Sequence, residues 1–442
     1  MSGPTDQLAE CRHAAHALGT ALVREAIWSD DQCTWLAVAP RQDGLDVGDV
    51  RHAGVGPDLY AGTAGIAWLL GCLHGVRPDP RLRATALGAL RHAVRRGTGT
   101  GSPPGLYDGA LGIALVTARL SASLAEPGLQ ETAGRILTTS CRSDPGSADL
   151  LSGLSGMILG LLALDDLVDD AVDAAARARA LIRWSRSLLA TARTTGGTAS
   201  WSWSGQRTHQ DPTGLSHGAA GVALALDTLA ARTGDQELRR AAVMARAYER
   251  TAFDPVESNW ADFRLAAGQR RWTPRYSVAW CHGAAGITLD RLRGHQLTGD
   301  SRLRDEAHAG LEATRRWLER ALDASNPEFS LCHGIAGNLE VLDRGLGEPT
   351  LDLDPGPVVD RAALVRHGLA RFRNVGTAGS EAPGLMTGLA GFAAFFLREA
   401  GHVSPDPLTM IVDVASTRDH SELSRRGDAP APARAVPPAL RS

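Results

Sequence analysis

A short pattern built on G-x-x-G returns seven times along the chain, and it limits the fold more than any other feature. It reads LYAGTAGIA from Leu59, LYDGALGIA from Leu106, LLSGLSGMI from Leu150 and LSHGAAGVA from Leu215. It continues as WCHGAAGIT from Trp280, LCHGIAGNL from Leu331 and LMTGLAGFA from Leu385. The paired glycines are Gly62/Gly65, Gly109/Gly112, Gly153/Gly156, Gly218/Gly221, Gly283/Gly286, Gly334/Gly337 and Gly388/Gly391. One such motif means little, but seven at intervals of roughly 45–65 residues specify a repeat architecture.

Each copy opens an apolar, alanine-rich segment, as in GVALALDTLAA from Gly221. Between copies lies an amphipathic stretch, such as DPRLRATALGALRHAVRR from Asp79 or ELRRAAVMARAYER from Glu237. An apolar helix is buried, and one with a charged side faces solvent. Each repeat therefore supplies an inner and an outer helix. The expected fold is all-α, a seven-fold α/α toroid with two concentric layers of helices. An open solenoid has the same spacing; closure is favoured because the special side chains stand in separate repeats and need to meet. Glycines where helix ends crowd the centre permit close backbone approach and unusual dihedrals.

The expected organisation is a leader over residues 1–50 with one helix (about Gln7 to Trp28), a ring over 51–415, and a disordered tail over 416–442. The tail is rich in Pro, Ala, Arg and Ser. A net charge of -3 excludes general phosphate-backbone binding to nucleic acid. There is no secretory signal and no run long enough to span a membrane, so a cytoplasmic protein is expected. Six cysteines in 442 residues do not make a disulfide framework.

The repeats differ most in the two residues before the first glycine. Tyr60-Ala61, Tyr107-Asp108, Leu151-Ser152 and Met386-Thr387 offer no evident catalytic chemistry. The others carry Ser216-His217, Cys281-His282 and Cys332-His333. Both C-H-G triplets thus occupy equivalent places in adjacent repeats, which in a closed ring point at one centre. Two thiolates and an imidazole suit zinc, with a fourth position left open for catalysis. Cys281, Cys332 and a histidine are the candidate ligands; spacing does not choose between His282 and His333. The plainer alternative, ordinary buried cysteines, explains neither the following histidines nor the shared register. His217 is a candidate general acid/base, against a helix-capping or space-filling role. Asp149 is a candidate orienting group or acid/base, against simple helix capping.

GLSHGAAG, WCHGAAG and LCHGIAGN resemble the motifs of the lanthionine synthetase C-like cyclases, over roughly residues 55–400. DLYAGTAGIA, the NWADFR stretch from Asn259 and PGLMTGLAG resemble the cyclase half of class II bifunctional lanthipeptide synthetases, here without the dehydratase half. The resemblance implies an α/α toroid, zinc on Cys281, Cys332 and His333, and roles for His217 and Asp149. It implies a dehydrated precursor peptide as substrate, whose cysteine thiol adds to a dehydroamino acid, and a separate dehydratase as a possible partner. A glutathione-adding relative and a non-catalytic peptide-binding ring are the alternatives. Some family members carry an arginine four residues before the first zinc cysteine; Ser277 stands there in this chain.

Overall fold

The computed structural model describes residues 4–39, 51–99, 101–165, 167–168, 174–205, 207–265, 271–325, 328–351, 359–372 and 382–401. The tail expected over 416–442 lies outside them. In chain order the helices are α1 (Pro4–Glu25), α2 (Thr63–Val76), α3 (Pro80–Gly97), α4 (Ala110–Leu124), α5 (Leu129–Ser140), α6 (Leu154–Asp165) and α7 (Ala174–Thr191). They continue as α8 (Ala219–Thr233), α9 (Gln236–Arg250), α10 (Ala284–Thr298), α11 (Ser301–Leu322), α12 (Ile335–Leu346), α13 (Arg361–Phe372) and α14 (Leu389–Glu399).

The even-numbered helices each begin just after the first glycine of a repeat and form the inner layer. Packing runs α2–α4–α6–α8–α10–α12–α14 and returns from α14 to α2, so the ring is closed. Nearly every residue of α6 is buried, Leu154 through Leu164, because it is flanked on all sides by helices. The outer helices α3, α5, α7, α9 and α11 cover α2, α4, α6, α8 and α10, and α13 lies between α11 and α1. They bury one side only. In α9, Leu238, Ala241, Ala242 and Ala245 face inward, and Asp235 caps its start by accepting from the N–H groups of Glu237 and Leu238.

The outer partner of the last inner helix is α1, the first helix of the chain. It buries Cys11, Ala15, Leu18 and Leu22 in the common core. It ends at Glu25 rather than near Trp28, which lies in a hairpin of β1 (Ile27–Ser29) and β2 (Gln32–Thr34). Three more antiparallel hairpins decorate the ring: β3 (Leu36–Ala39) with β4 (Arg51–Gly54), β5 (Arg193–Thr195) with β6 (Thr198–Ser200), and β7 (Phe253–Asp254) with β8 (Asn259–Trp260).

At the centre the residues two places before each first glycine are joined in a circle of backbone hydrogen bonds. N–H groups of Tyr60, Tyr107, Leu151 and Ser216 donate to the carbonyls of Tyr107, Leu151, Ser216 and Cys281. Trp280 then donates to Cys332, Cys332 to Met386, and Met386 back to Tyr60, all at 2.8–3.3 Å. The second glycine of every repeat has a steric cause. A Cβ there would stand 1.8–2.3 Å from the carbonyl oxygen six residues earlier. Close approach is the general requirement. Among the first glycines that cap described helices, Gly283 alone has positive φ, at 75°, while Gly62, Gly109, Gly218, Gly334 and Gly388 are extended.

Candidate metal centre

The fifth repeat breaks the central circle's register. Trp280 donates where the pattern calls for Cys281, and the left-handed Gly283 turns the chain immediately after the Cys281-His282 pair. Side chains from elsewhere brace this turn. Asn259 Nδ2 donates to the Ser277 carbonyl at 2.9 Å, and Asn338 Nδ2 on α12 donates to the Val278 carbonyl at 3.0 Å. The NWADFR stretch therefore supports the loop that carries Cys281, and the backbone carbonyl of Ser277 is one of the atoms it holds.

Three donors converge here. Cys281 Sγ, Cys332 Sγ and a ring nitrogen of His333 all lie within 4.8 Å of one another, the one such cluster of three among the described residues. Cys332 Sγ is 3.4 Å from His333 Nε2. His333 Nδ1 faces Glu328 Oε1 at 4.0 Å, and its backbone N–H donates to Ser330 Oγ. His282 points elsewhere. It is buried, with Nε2 3.3 Å from Ser216 Oγ, and burial pushes its imidazole down to about 4. The structure thus brings His333, not His282, to the two sulfurs.

Both sulfurs are buried. A hydrogen bond from the Cys332 thiol holds the Cys281 thiol well below its usual range, while burial holds Cys332 above it. The inner helices start beside the central circle, and their first N–H groups are taken up by loop carbonyls, Ala284 donating to Ser277 and Ile335 to Glu328.

His217 and Asp149 are neighbours. His217 Nδ1 lies 3.6 Å from Asp149 Oδ1, an ion-pair separation rather than a closed hydrogen bond. Burial raises the Asp149 carboxyl, but His217, the Ser152 N–H and the Ser147 hydroxyl outweigh it and hold the group below the usual range. Ser152 N donates to Oδ1 at 2.8 Å and Ser147 Oγ to Oδ2 at 2.7 Å. The capping part of this is shared: Asp58 accepts the Ala61 N–H and Ser330 the His333 N–H from the same slot of their repeats. Only Asp149 of the three also faces His217. Trp203 stacks on the His217 ring at 4.0 Å between centroids and 17° between planes. The His217 ring lies 5.9 Å from that of His282, and the backbone N–H of its neighbour Ser216 donates to the Cys281 carbonyl at 3.0 Å, so the His217 slot adjoins the turn that carries Cys281.

Two contributions escaped the sequence reading. Trp203 belongs to no repeat. Tyr60, in a repeat without evident chemistry, donates from its hydroxyl to Cys332 Sγ at 2.8 Å. The signal for Tyr60 was its slot, equivalent to that of Cys281 and Cys332; no signal marked Trp203.

Nisin cyclase has a similar fold, with a TM-score of 0.61 at 17% identity, covering 81% of this chain and 93% of that one. A family 76 glycoside hydrolase (mannosidase) from Bacteroides thetaiotaomicron aligns over 92% of this chain and all of its own, at 13% identity and a TM-score of 0.42, too distant to bear on the site. The lacticin 481/lactococcin biosynthesis protein LcnDR2 of Lactococcus lactis subsp. lactis is 26% identical over 155 residues, which is 33% of this chain and 16% of that protein. The chain therefore matches only a small part of that relative's length. The sequence profile described as lanthionine synthetase C-like protein matches residues 54–404, and the chain belongs to that family.

Proposed function

We propose that the protein is a zinc-dependent lanthipeptide cyclase. It adds a cysteine thiol of a precursor peptide to a dehydroalanine or dehydrobutyrine of the same peptide and closes a thioether ring. The observation that carries this reading is the convergence of Cys281, Cys332 and His333 beside the His217–Asp149 pair. The donor set fits zinc: two soft sulfurs and an imidazole, with no fourth protein donor in the cluster among the described residues. Zinc held by these three residues supplies the positive charge that lets a peptide thiol lose its proton at neutral pH.

The chain's own residues handle the protons. The new S–C bond forms at the β-carbon, and the electron pair of the alkene moves towards the α-carbon, which takes up a proton. His217 is the donor, delivering it from Nε2. Asp149 beside Nδ1 fixes the ring's orientation, and Trp203 restricts it from the face. The proton lost by the thiol restores His217, so no proton is consumed over the cycle. No described helix is long and apolar enough to cross a membrane, and a cytoplasmic enzyme supplied by a separate dehydratase fits this chemistry.

The test is incubation with a dehydrated precursor, followed by thiol alkylation and mass spectrometry. Closed rings resist alkylation at unchanged mass. Thiols that stay open in the presence of zinc-loaded protein overturn the cyclase reading, and adducts formed only with added glutathione reassign it to intermolecular addition. Elemental analysis should find about one zinc per chain. Cys281→Ala, Cys332→Ala and His333→Ala should lose most of it and His282→Ala little.

A further inference from the structure

We propose that Tyr60 is a positioning residue of the metal centre: its phenol hydroxyl hydrogen-bonds the Cys332 sulfur and sets that sulfur's place and donor strength. The inference rests on the zinc reading and goes beyond the three donors themselves.

Tyr60 comes from the first repeat and Cys332 from the sixth, 272 residues apart, yet the hydroxyl lies 2.8 Å from Sγ. Its backbone is pinned on both sides of the central circle, donating to Tyr107 at 2.9 Å and accepting from Met386 at 2.8 Å. Its ring meets Tyr107 edge-on at 6.5 Å, and Tyr107 meets Trp280 at 5.0 Å. Trp280 in turn donates its N–H to the Cys332 carbonyl. A closed path of contacts thus runs from Tyr60 through Tyr107 and Trp280 to Cys332, and the phenol is aimed by it.

A phenol can donate to a thiol or to a thiolate sulfur, and the bond to the charged thiolate is the stronger. On a metal-bound thiolate, such a donor withdraws charge from the sulfur, lowers the energy of its lone pairs and holds its direction. The sulfur of Cys332 is fully buried, so water is poorly placed to do this instead. Cys281, in the repeat with the shifted register, faces Cys332 rather than a phenol. The two sulfurs are therefore inequivalent: Cys332 is the damped, fixed donor.

The test separates this role from packing. Tyr60→Phe removes the hydroxyl and retains the ring that packs on Tyr107. Zinc affinity, read by competition with a chromophoric chelator, should fall about 10–100-fold, the usual effect of losing an outer partner. In cobalt-substituted protein the sulfur-to-metal charge-transfer band should move to longer wavelength, since the undamped lone pair lies higher. The chain has only four tyrosines, and 3-fluorotyrosine at position 60, a stronger donor of the same shape, should move the band the other way. Wild-type-like affinity and an unshifted band in Tyr60→Phe overturn the proposal and leave the zinc reading standing. Wild-type protein that takes up neither zinc nor cobalt overturns both. If Tyr60→Phe is insoluble, the fluorotyrosine band decides alone; no shift overturns the role.

Discussion

His217 occupies the same slot as His333, but Ser216 replaces the neighbouring cysteine and Asp149 faces its Nδ1 at 3.6 Å. On the proposed reading, that arrangement serves proton transfer rather than metal binding. His217→Asn should keep zinc and fold while slowing ring closure by about 10²–10⁴-fold, the range for a lost general acid or base. Initial rates and ring stereochemistry are the measurements, since uncatalysed addition closes some rings; a wild-type rate with metal retained excludes the role. The sequence marked Cys281, Cys332, His333 and His217 because a repeat makes a departure from itself visible. Tyr60 was passed over for the same reason: its slot looked filled by an ordinary apolar-site residue. Its partner is 272 residues away and depends on a side-chain direction that no local pattern encodes. Asp149 was a candidate on its place before the third motif, with simple capping as the alternative, and the family resemblance also pointed to it; Asp58 in the same slot caps its turn.

At the scale of helices, repeats four and five are tied together by buried charge as well as by apolar packing such as Ala220, Trp260 and Ile287. Arg246 on α9 donates to Asp227 on α8 at 2.9 Å and to Asp290 on α10 at 2.7 Å, and all three are buried. Arg291 continues the network to Glu249. Burial pushes Glu249 up to about 7, against the pull of Arg291. Glu249 Oε1 accepts from the N–H groups of Gly214 and Ala220, so the network also holds the loop that presents His217. Arg246→Met removes the cation that Asp227 and Asp290 share, leaving Arg239 beside the first and Arg291 beside the second. It should cost roughly 3–5 kcal/mol, as for other broken buried pairs, read as a lower urea midpoint. An unchanged midpoint would show that Arg239 and Arg291 make good the loss. The sequence shows these residues only as charges in helical segments. The apolar period that reveals a helix carries no information about which polar groups pair beneath the surface. The glycines were legible because their cause is local, a carbonyl six residues earlier in the same chain. The register shift at Trp280 was not, since Gly283 reads like its six counterparts.

At the scale of the whole molecule, the two ends of the described chain are packed together. Seven helical repeats could be read from spacing, and closure from the special side chains that need to meet, but the offset could not: the outer helix of the seventh pair precedes the first motif. α1 covers α14 and also crosses α2, where a Cβ on Gly19 would lie 2.4 Å from Leu73 Cδ1. Trp35 Nε1 donates to the Leu22 carbonyl and fastens its end. Deleting residues 1–25 should therefore abolish soluble, cooperatively unfolding protein. Truncation after Ala415 should leave the thermal transition in place, because the sequence beyond has no apolar period to contribute. Two transitions of equal sharpness would mean α1 is dispensable to closure.

Closure by the first and last helices also sets the order of assembly. On the ribosome, α1 waits for α14, its partner at the far end of the chain, and until then the growing arc exposes two unfinished faces. The contacts of α14 with α1 span the longest stretch of chain among the described helix pairs, so the seam closes late and slowly. A second chain's α1 fits the same vacant face. During refolding at high concentration, the seam is therefore where exchange between chains begins, and dilution favours the closed monomeric ring.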